Sequence, residues 1–124
     1  MSTRCGVFYK TTNGKYRGSY IHHDGYLEGV GQCLQRYYDD PKLIEVLVES
    51  SSYYSSLLST TTDSLEDIVR VEHDNYEFDN LQNLLAYCAE SDLEFAYIYE
   101  EGRFITAYGG FGCVRELEGL LKDL

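Results

Sequence analysis

Apolar and polar positions change their period several times along the chain, and each change marks an element. Residues 5–10 (CGVFYK) and 16–22 (YRGSYIH) are rich in aromatic and β-branched side chains, with TTNGK between them. Asn13-Gly14 favours a two-residue turn of positive φ, so an opening β-hairpin is expected here. From Glu28 the spacing becomes three and four: Val30, Cys33, Leu34, Tyr37 and Tyr38 share one helical face. Asp39-Asp40-Pro41 stops that helix and starts another, with Asp40 as N-cap, Pro41 at the first helical position, and Leu43, Ile44, Leu47 and Val48 as the buried stripe.

Ser50 to Ser64 is hydroxyl-rich and reads as a long surface loop, after which IVRVEH alternates as a strand. Asp79 is placed to cap a helix carrying Leu81, Leu84, Leu85 and Cys88. FAYIYEEGRFITAY predicts a second hairpin turning at Glu100-Glu101-Gly102, and VRELEGLLKDL a final helix with Val114, Leu117, Leu120 and Leu121 on one face. Paired strands separated by helices, without regular βαβ alternation, predict the α+β class. The expected architecture is an antiparallel sheet built from two hairpins, with helices packed on one face, in a single two-layer domain over 1–124.

The chain's 124 residues suit one domain with one core. No window approaches the roughly 18 uninterrupted apolar residues of a membrane span, and the first residues lack a signal-peptide core, so a soluble cytoplasmic protein is expected. Cys5, Cys33, Cys88 and Cys113 are far apart with no C-x-x-C pair, which points to free thiols and to no metal or cofactor.

Charge changes the picture more. The net charge is −11, and residues 63–101 hold twelve acids against Arg70 alone, while the remainder has nine acids and nine bases. Such a segment repels nucleic acid and attracts basic surfaces. Glu66, Asp67, Glu72, Asp74, Glu77 and Asp79 are the candidate partner-binding carboxylates, with Tyr76 and Phe78 as aromatic anchors. The thirteen tyrosines do not indicate direct nucleic-acid binding, because base stacking works beside a basic groove.

The other candidate is the turn His22-His23-Asp24-Gly25-Tyr26. If a strand ends here, alternation sends the two imidazoles to opposite faces, a poor start for one metal site. Asp24 can bond its own downstream backbone and Gly25 can supply positive φ, so a turn explains the group without catalysis. A hydrolase with His22 as base and Asp24 as orienting group lacks a cysteine singled out as nucleophile. Neither GVG (Gly29–Gly31) nor GGFG (Gly109–Gly112) carries the Lys-Ser/Thr ending of a phosphate-binding loop.

Met1-Ser2-Thr3-Arg4 and the run Tyr20, His22, Asp24, Gly25, Tyr26, Glu28, Gly29, Val30 and Gly31 resemble a family of small phage- and prophage-encoded proteins. Ile21, His23 and Leu27 replace that family's usual Cys, Trp and Pro. Tyr38-x-Asp40-x-Lys42, Ser55-Ser56-Leu57, and Phe95 to Tyr99 with Gly102-Arg103-Phe104 extend the likeness over most of the chain outside roughly 59–78. The resemblance implies no catalytic residues. It implies a phage origin, and small phage proteins often antagonise host defences. The expectation is therefore a non-enzymatic inhibitor that binds a basic, nucleic-acid-handling host defence protein by offering carboxylates in place of phosphates. The alternative is a binder that sequesters a nucleotide-like defence signal at the HHDGY turn, with Arg4, Arg17, Arg36, Arg103 and Arg115 as candidate cations. A homo-oligomer with neither activity is the third reading.

Overall fold

The structure is a computed structural model that describes residues 3–38, 40–50, 53–54, 76–108, 110 and 112–123. Strands β1 (Cys5–Lys10) and β2 (Tyr16–Ile21) form the expected antiparallel hairpin, in register from Cys5↔Ile21 to Lys10↔Tyr16. Its turn differs from the expectation. The Gly14 N–H bonds the Thr11 carbonyl at 3.0 Å, the Thr11 N–H bonds that of Lys15 at 2.7 Å, and only Gly14 has positive φ (81°). This is a three-residue loop closed by a left-handed glycine, not a two-residue Asn-Gly turn. The two-residue turn appears instead at Glu101-Gly102, φ 53° and 79°, between β5 (Phe95–Glu100) and β6 (Arg103–Tyr108).

The α+β class holds, with correction to its details. Among the described residues seven strands form one sheet, six of them in the order β3-β2-β1-β5-β6-β7, where β3 is Tyr53–Tyr54 and β7 is Cys113–Glu116. A short β4 (Tyr76–Phe78) also pairs with β2. Each hairpin is antiparallel, but the two hairpins join through parallel pairing of β1 with β5, Cys5↔Phe95 to Tyr9↔Tyr99, and β3 also runs parallel to β2. The sheet is mixed. The long chain between β1 and β5 supplies the crossover that parallel neighbours require.

Helices cover both faces, so the arrangement has three layers. On one face Cys5, Val7, Ile21, Tyr97, Tyr99 and Phe104 pack against a π-helical turn (Leu27–Gly31), α1 (Gln32–Tyr37), α2 (Pro41–Ser50) and α4 (Leu117–Lys122) through Val30, Leu34, Ile44, Leu47 and Leu117. On the other, Phe8, Tyr16, Ala96, Ile98 and Ala107 meet Leu84 and Cys88 of α3 (Leu81–Glu90). The signal for this lies in β5: Ala96, Tyr97, Ile98 and Tyr99 are consecutive and all buried, and a strand apolar on both faces needs cover on both.

Asp40 caps α2 as expected, its Oδ1 accepting from the Lys42 N–H at 2.8 Å, although Leu43 is left 38% exposed. The cap of α3 is Asn80 rather than Asp79, with Oδ1 accepting from Asn83 N–H at 2.8 Å. The predicted final helix begins as strand: residues 113–116 extend the sheet beside β6, leaving Val114 exposed, and only Leu117 and Leu120 of the proposed stripe are buried in α4. The strand expected at IVRVEH and most of the Ser50–Ser64 loop lie outside the described residues.

Candidate functional site

The HHDGY segment is held on every side by backbone. The Gly25 N–H donates to the Thr3 carbonyl at 2.9 Å, the Val30 N–H donates to the Asp24 carbonyl at 2.9 Å, and the buried Tyr97 hydroxyl donates to the Gly25 carbonyl at 2.7 Å. Positive φ falls on Asp24 (60°), not on Gly25 as expected. Gly25 is required for a different reason: a Cβ there would sit 2.8 Å from the Thr3 carbonyl oxygen and 2.9 Å from Cys5 Cβ. A Cβ on Gly29 would collide with the Asp24 carbonyl oxygen. The glycines of the motif thus permit close packing of a turn against β1 and the π-helical turn.

The Asp24 carboxylate accepts from the Tyr26 hydroxyl at 3.3 Å and does not orient an imidazole. His22 Nδ1 faces the Tyr20 hydroxyl at 2.7 Å, and its ring stacks on Tyr53 with centroids 6.2 Å apart. His22 and His23 are not sent apart: their centroids lie 4.5 Å from each other, because β2 ends at Ile21 and strand alternation no longer governs the next two residues. Among the described residues no group of three or more His, Cys, Asp or Glu side chains is arranged to hold a metal ion. Burial raises the Cys33 thiol to about 11 and the Cys88 thiol to about 12, and drives Cys5 upward as well, with Cys88 adding to it. These three are poor thiolate nucleophiles.

Of the partner-binding candidates, Glu66, Asp67, Glu72 and Asp74 lie outside the described residues, and Tyr76 is described by its backbone, opposite Gly18. Phe78 is turned into the layer under α3, with ring centroids 5.9 Å from Phe8 and 5.1 Å from Tyr87, and so packs the core. Glu77 and Asp79 are exposed but already face cations. Arg17 Nη1 reaches Glu77 Oε2 at 3.0 Å, and Lys15 Nζ lies 3.7 Å from both Glu77 and Asp79.

A different group of exposed carboxylates lies on the two segments bonded to the start of the sheet, at its opposite end. Thr3 and Arg4, just before β1, bond Gly25 on one side and the Glu94 N–H on the other, at 2.9 Å each. Asp24 and Glu28 therefore flank the N-terminal segment on one side, and Asp92 and Glu94 flank it on the other, all exposed, with Glu90 ending the nearby α3. Tyr26, 41% exposed, sits within the group, and Arg4 is its nearby base. Asp24 and Glu28 lie outside the acidic segment of the sequence. Only the placement of β1 between β2 and β5 puts their turn and the segment of Asp92 and Glu94 on either side of the same strand.

The cations named for a nucleotide pocket are largely engaged. Arg17 holds Glu49 with two nitrogens, Nε at 2.5 Å and Nη2 at 2.9 Å, besides Glu77; Arg103 pairs with Glu116 at 3.1 Å and Arg115 with Asp123 at 3.1 Å. Arg4 and Arg36 are exposed. A cleft of about 170 Å³ lies between Gln35, Gly102, Arg103, Phe104, Glu116 and Glu118, away from the HHDGY turn. It is smaller than the roughly 300 Å³ at which drug-sized ligand sites begin.

Comparison with protein-family models, curated proteins and solved structures finds no match for the chain. The functional reading therefore rests on its own residues. Among the described residues no helix is long and apolar enough to cross a membrane.

Proposed function

We propose that the protein is a non-enzymatic, phage-encoded inhibitor of a host defence system that binds a basic, nucleic-acid-handling protein through an acidic surface. The observation that carries this reading is that the turn with exposed Asp24 and Glu28 and the segment with exposed Asp92 and Glu94 are hydrogen-bonded to Thr3 and Arg4 respectively, next to the exposed ring of Tyr26. Strand β3 brings the chain to the same end at Tyr54, beside Ile21. Dispersed exposed carboxylates steer and accelerate encounter with a cationic groove, whereas a half-exposed aromatic ring supplies area that resists dissociation. Tyr26 replaces Phe78 as the anchor in this reading, since Phe78 is occupied in the core.

Affinity capture from a host lysate tests it, comparing the wild-type chain with the variant Asp24→Asn, Glu28→Gln, Asp92→Asn, Glu94→Gln. A basic nucleic-acid-handling protein should be retained by the first and lost from the second, and retention should weaken as salt is raised. Equal capture by both chains, or capture indifferent to salt, would remove the acidic end as the binding surface.

A further inference from the structure

Strand β7 ends the sheet on one side. Among the described residues no strand lies beyond it, and all four of its residues, Cys113 to Glu116, are exposed. It pairs with β6 without a bulge, from Ile105↔Glu116 to Tyr108↔Cys113, so its outer N–H and C=O groups form a continuous open edge. Natural edges are commonly blunted by lysine, proline or a bulge, and β7 carries none of these. Its charges are turned back onto their own chain: Arg115 pairs with Asp123 and Glu116 with Arg103, at 3.1 Å each. That leaves Val114, 45% exposed, in the middle of the edge.

Charge decides what can approach this edge. Over residues 102–124, Arg103, Arg115 and Lys122 balance Glu116, Glu118 and Asp123, so the net charge of −11 falls on the rest of the chain. A second copy is repelled elsewhere and meets no net charge here, whereas a strongly basic partner gains nothing at this edge.

We infer that β7 is a homodimer edge: it pairs antiparallel with β7 of a second copy, about a two-fold axis through Val114, and joins the two sheets into one. A two-fold axis normal to the sheet keeps each side chain on its own face, so opposed residues differ by an even number of positions. Centring the axis on Arg115 or Glu116 would set like charges opposite each other, and centring it on Cys113 would run the strand into the turn that precedes it. Centring on Val114 sets the two valines together and Cys113 of each copy opposite Arg115 of the other. The inference does not depend on what the acidic end binds. Because β7 runs in the same direction as β1, the pairing would place the two acidic ends at opposite ends of the joined sheet.

The edge is short, so the dimer should form with rising concentration rather than be permanent. Sedimentation of the full chain under reductant, from about 10 µM to about 1 mM, measures it. Val114→Lys is compared with Val46→Lys, a valine of equal exposure on α2, which changes the net charge by the same amount. Wild type and Val46→Lys should dimerise alike, and Val114→Lys should associate about fivefold or more weakly, because two ammonium groups then face each other. In the wild-type chain a bismaleimide of about 8 Å reach should join Cys113 to Cys113 of the second copy, which this register places about 7–8 Å apart on one face. A wild-type chain that stays monomeric throughout, equal association by the two variants, or a dimer cross-linked through Cys33 rather than Cys113 would each overturn the inference and leave the acidic-surface reading untouched.

Discussion

The phenol of Tyr97 donates a 2.7 Å hydrogen bond to the carbonyl of Gly25, 72 residues earlier in the chain. It ties the centre of β5 to the turn that carries the sequence motif. Replacing Tyr97 with Phe should leave the buried Gly25 carbonyl without its partner at nearly unchanged volume, at a cost of about 1–3 kcal/mol. Urea denaturation measures this as a shift in midpoint at constant slope. A shift near zero would mean that water replaces the phenol and that the turn is not held from β5.

Asp24 and Gly25 should respond to substitution in opposite ways. Asp24 has φ 60°, so Asp24→Gly relieves backbone strain, and Asp24→Ala should be less stable than Asp24→Gly by about 1 kcal/mol. Gly25→Ala forces a methyl group against the Thr3 carbonyl and Cys5 and should cost about 1–3 kcal/mol. Thermal melts of the three variants check the order, and an Asp24→Ala as stable as Asp24→Gly would contradict it.

Alkaline pH should weaken the fold. Cys5 and Cys88 are buried and hold their protons in the folded chain well above the ordinary thiol value, Cys88 to about 12. Below about pH 8.5 both states are protonated and the thiol contribution is fully present. As the pH rises from there toward 12, the unfolded chain releases protons that the folded chain retains. Stability then falls by about 1.4 kcal/mol per pH unit for each thiol. Burial shifts Tyr54 and Tyr97 in the same direction at higher pH. Denaturant midpoints at pH 7, 9 and 10.5 should decline in that order, and a Cys88→Ser variant should decline less.

Thiol reagents should distinguish the four cysteines by position. Cys113 is exposed on β7, Cys33 is half-buried on α1, and Cys5 and Cys88 are buried. In the native protein Cys113 should react first and Cys33 more slowly, with Cys5 and Cys88 released only by denaturant. Rapid native labelling of Cys88, read by peptide mass spectrometry, would contradict the packing of α3.

Arg17 should behave as a structural joint. Its guanidinium connects β2 to Glu49 of α2 and to Glu77 of β4, and Tyr9 also donates to Glu49 at 2.7 Å. Arg17→Lys keeps the charge but loses the two-nitrogen geometry, and about 1 kcal/mol should be lost. A double-mutant cycle with Glu49→Gln isolates the pair, and a coupling indistinguishable from zero would reduce Arg17 to a surface charge.

Much of the fold was legible locally. The hairpin at Glu101-Gly102, the Asp40-Pro41 start of α2 and the Leu84/Cys88 face of α3 follow from turn chemistry, capping and helical spacing within a few residues. The misreadings were of two kinds. Val114–Glu116 carries a helical pattern but pairs with β6, where the sheet offers an edge and no buried helix face. Asn13-Gly14 carries the signature of a two-residue turn but sits in a three-residue loop, because Lys10 pairs with Tyr16 and not with Arg17, the partner that a two-residue turn would give it.

For the site, the sequence by itself determined the −11 charge, its concentration in one third of the chain, and the glycine-bearing turn that precedes α1. These are properties of composition and of neighbours along the chain. The tertiary structure alone decided that β1 lies parallel to β5, that the turn of Asp24 and the segment of Glu94 are both tied to the residues just before β1, and that Glu77 and Asp79 face Lys15 and Arg17. Each of these relations joins residues far apart in sequence. Strand edges carry the same N–H and C=O groups whatever their side chains, so neighbour choice is made by the burial of both sheet faces together, which no local pattern records.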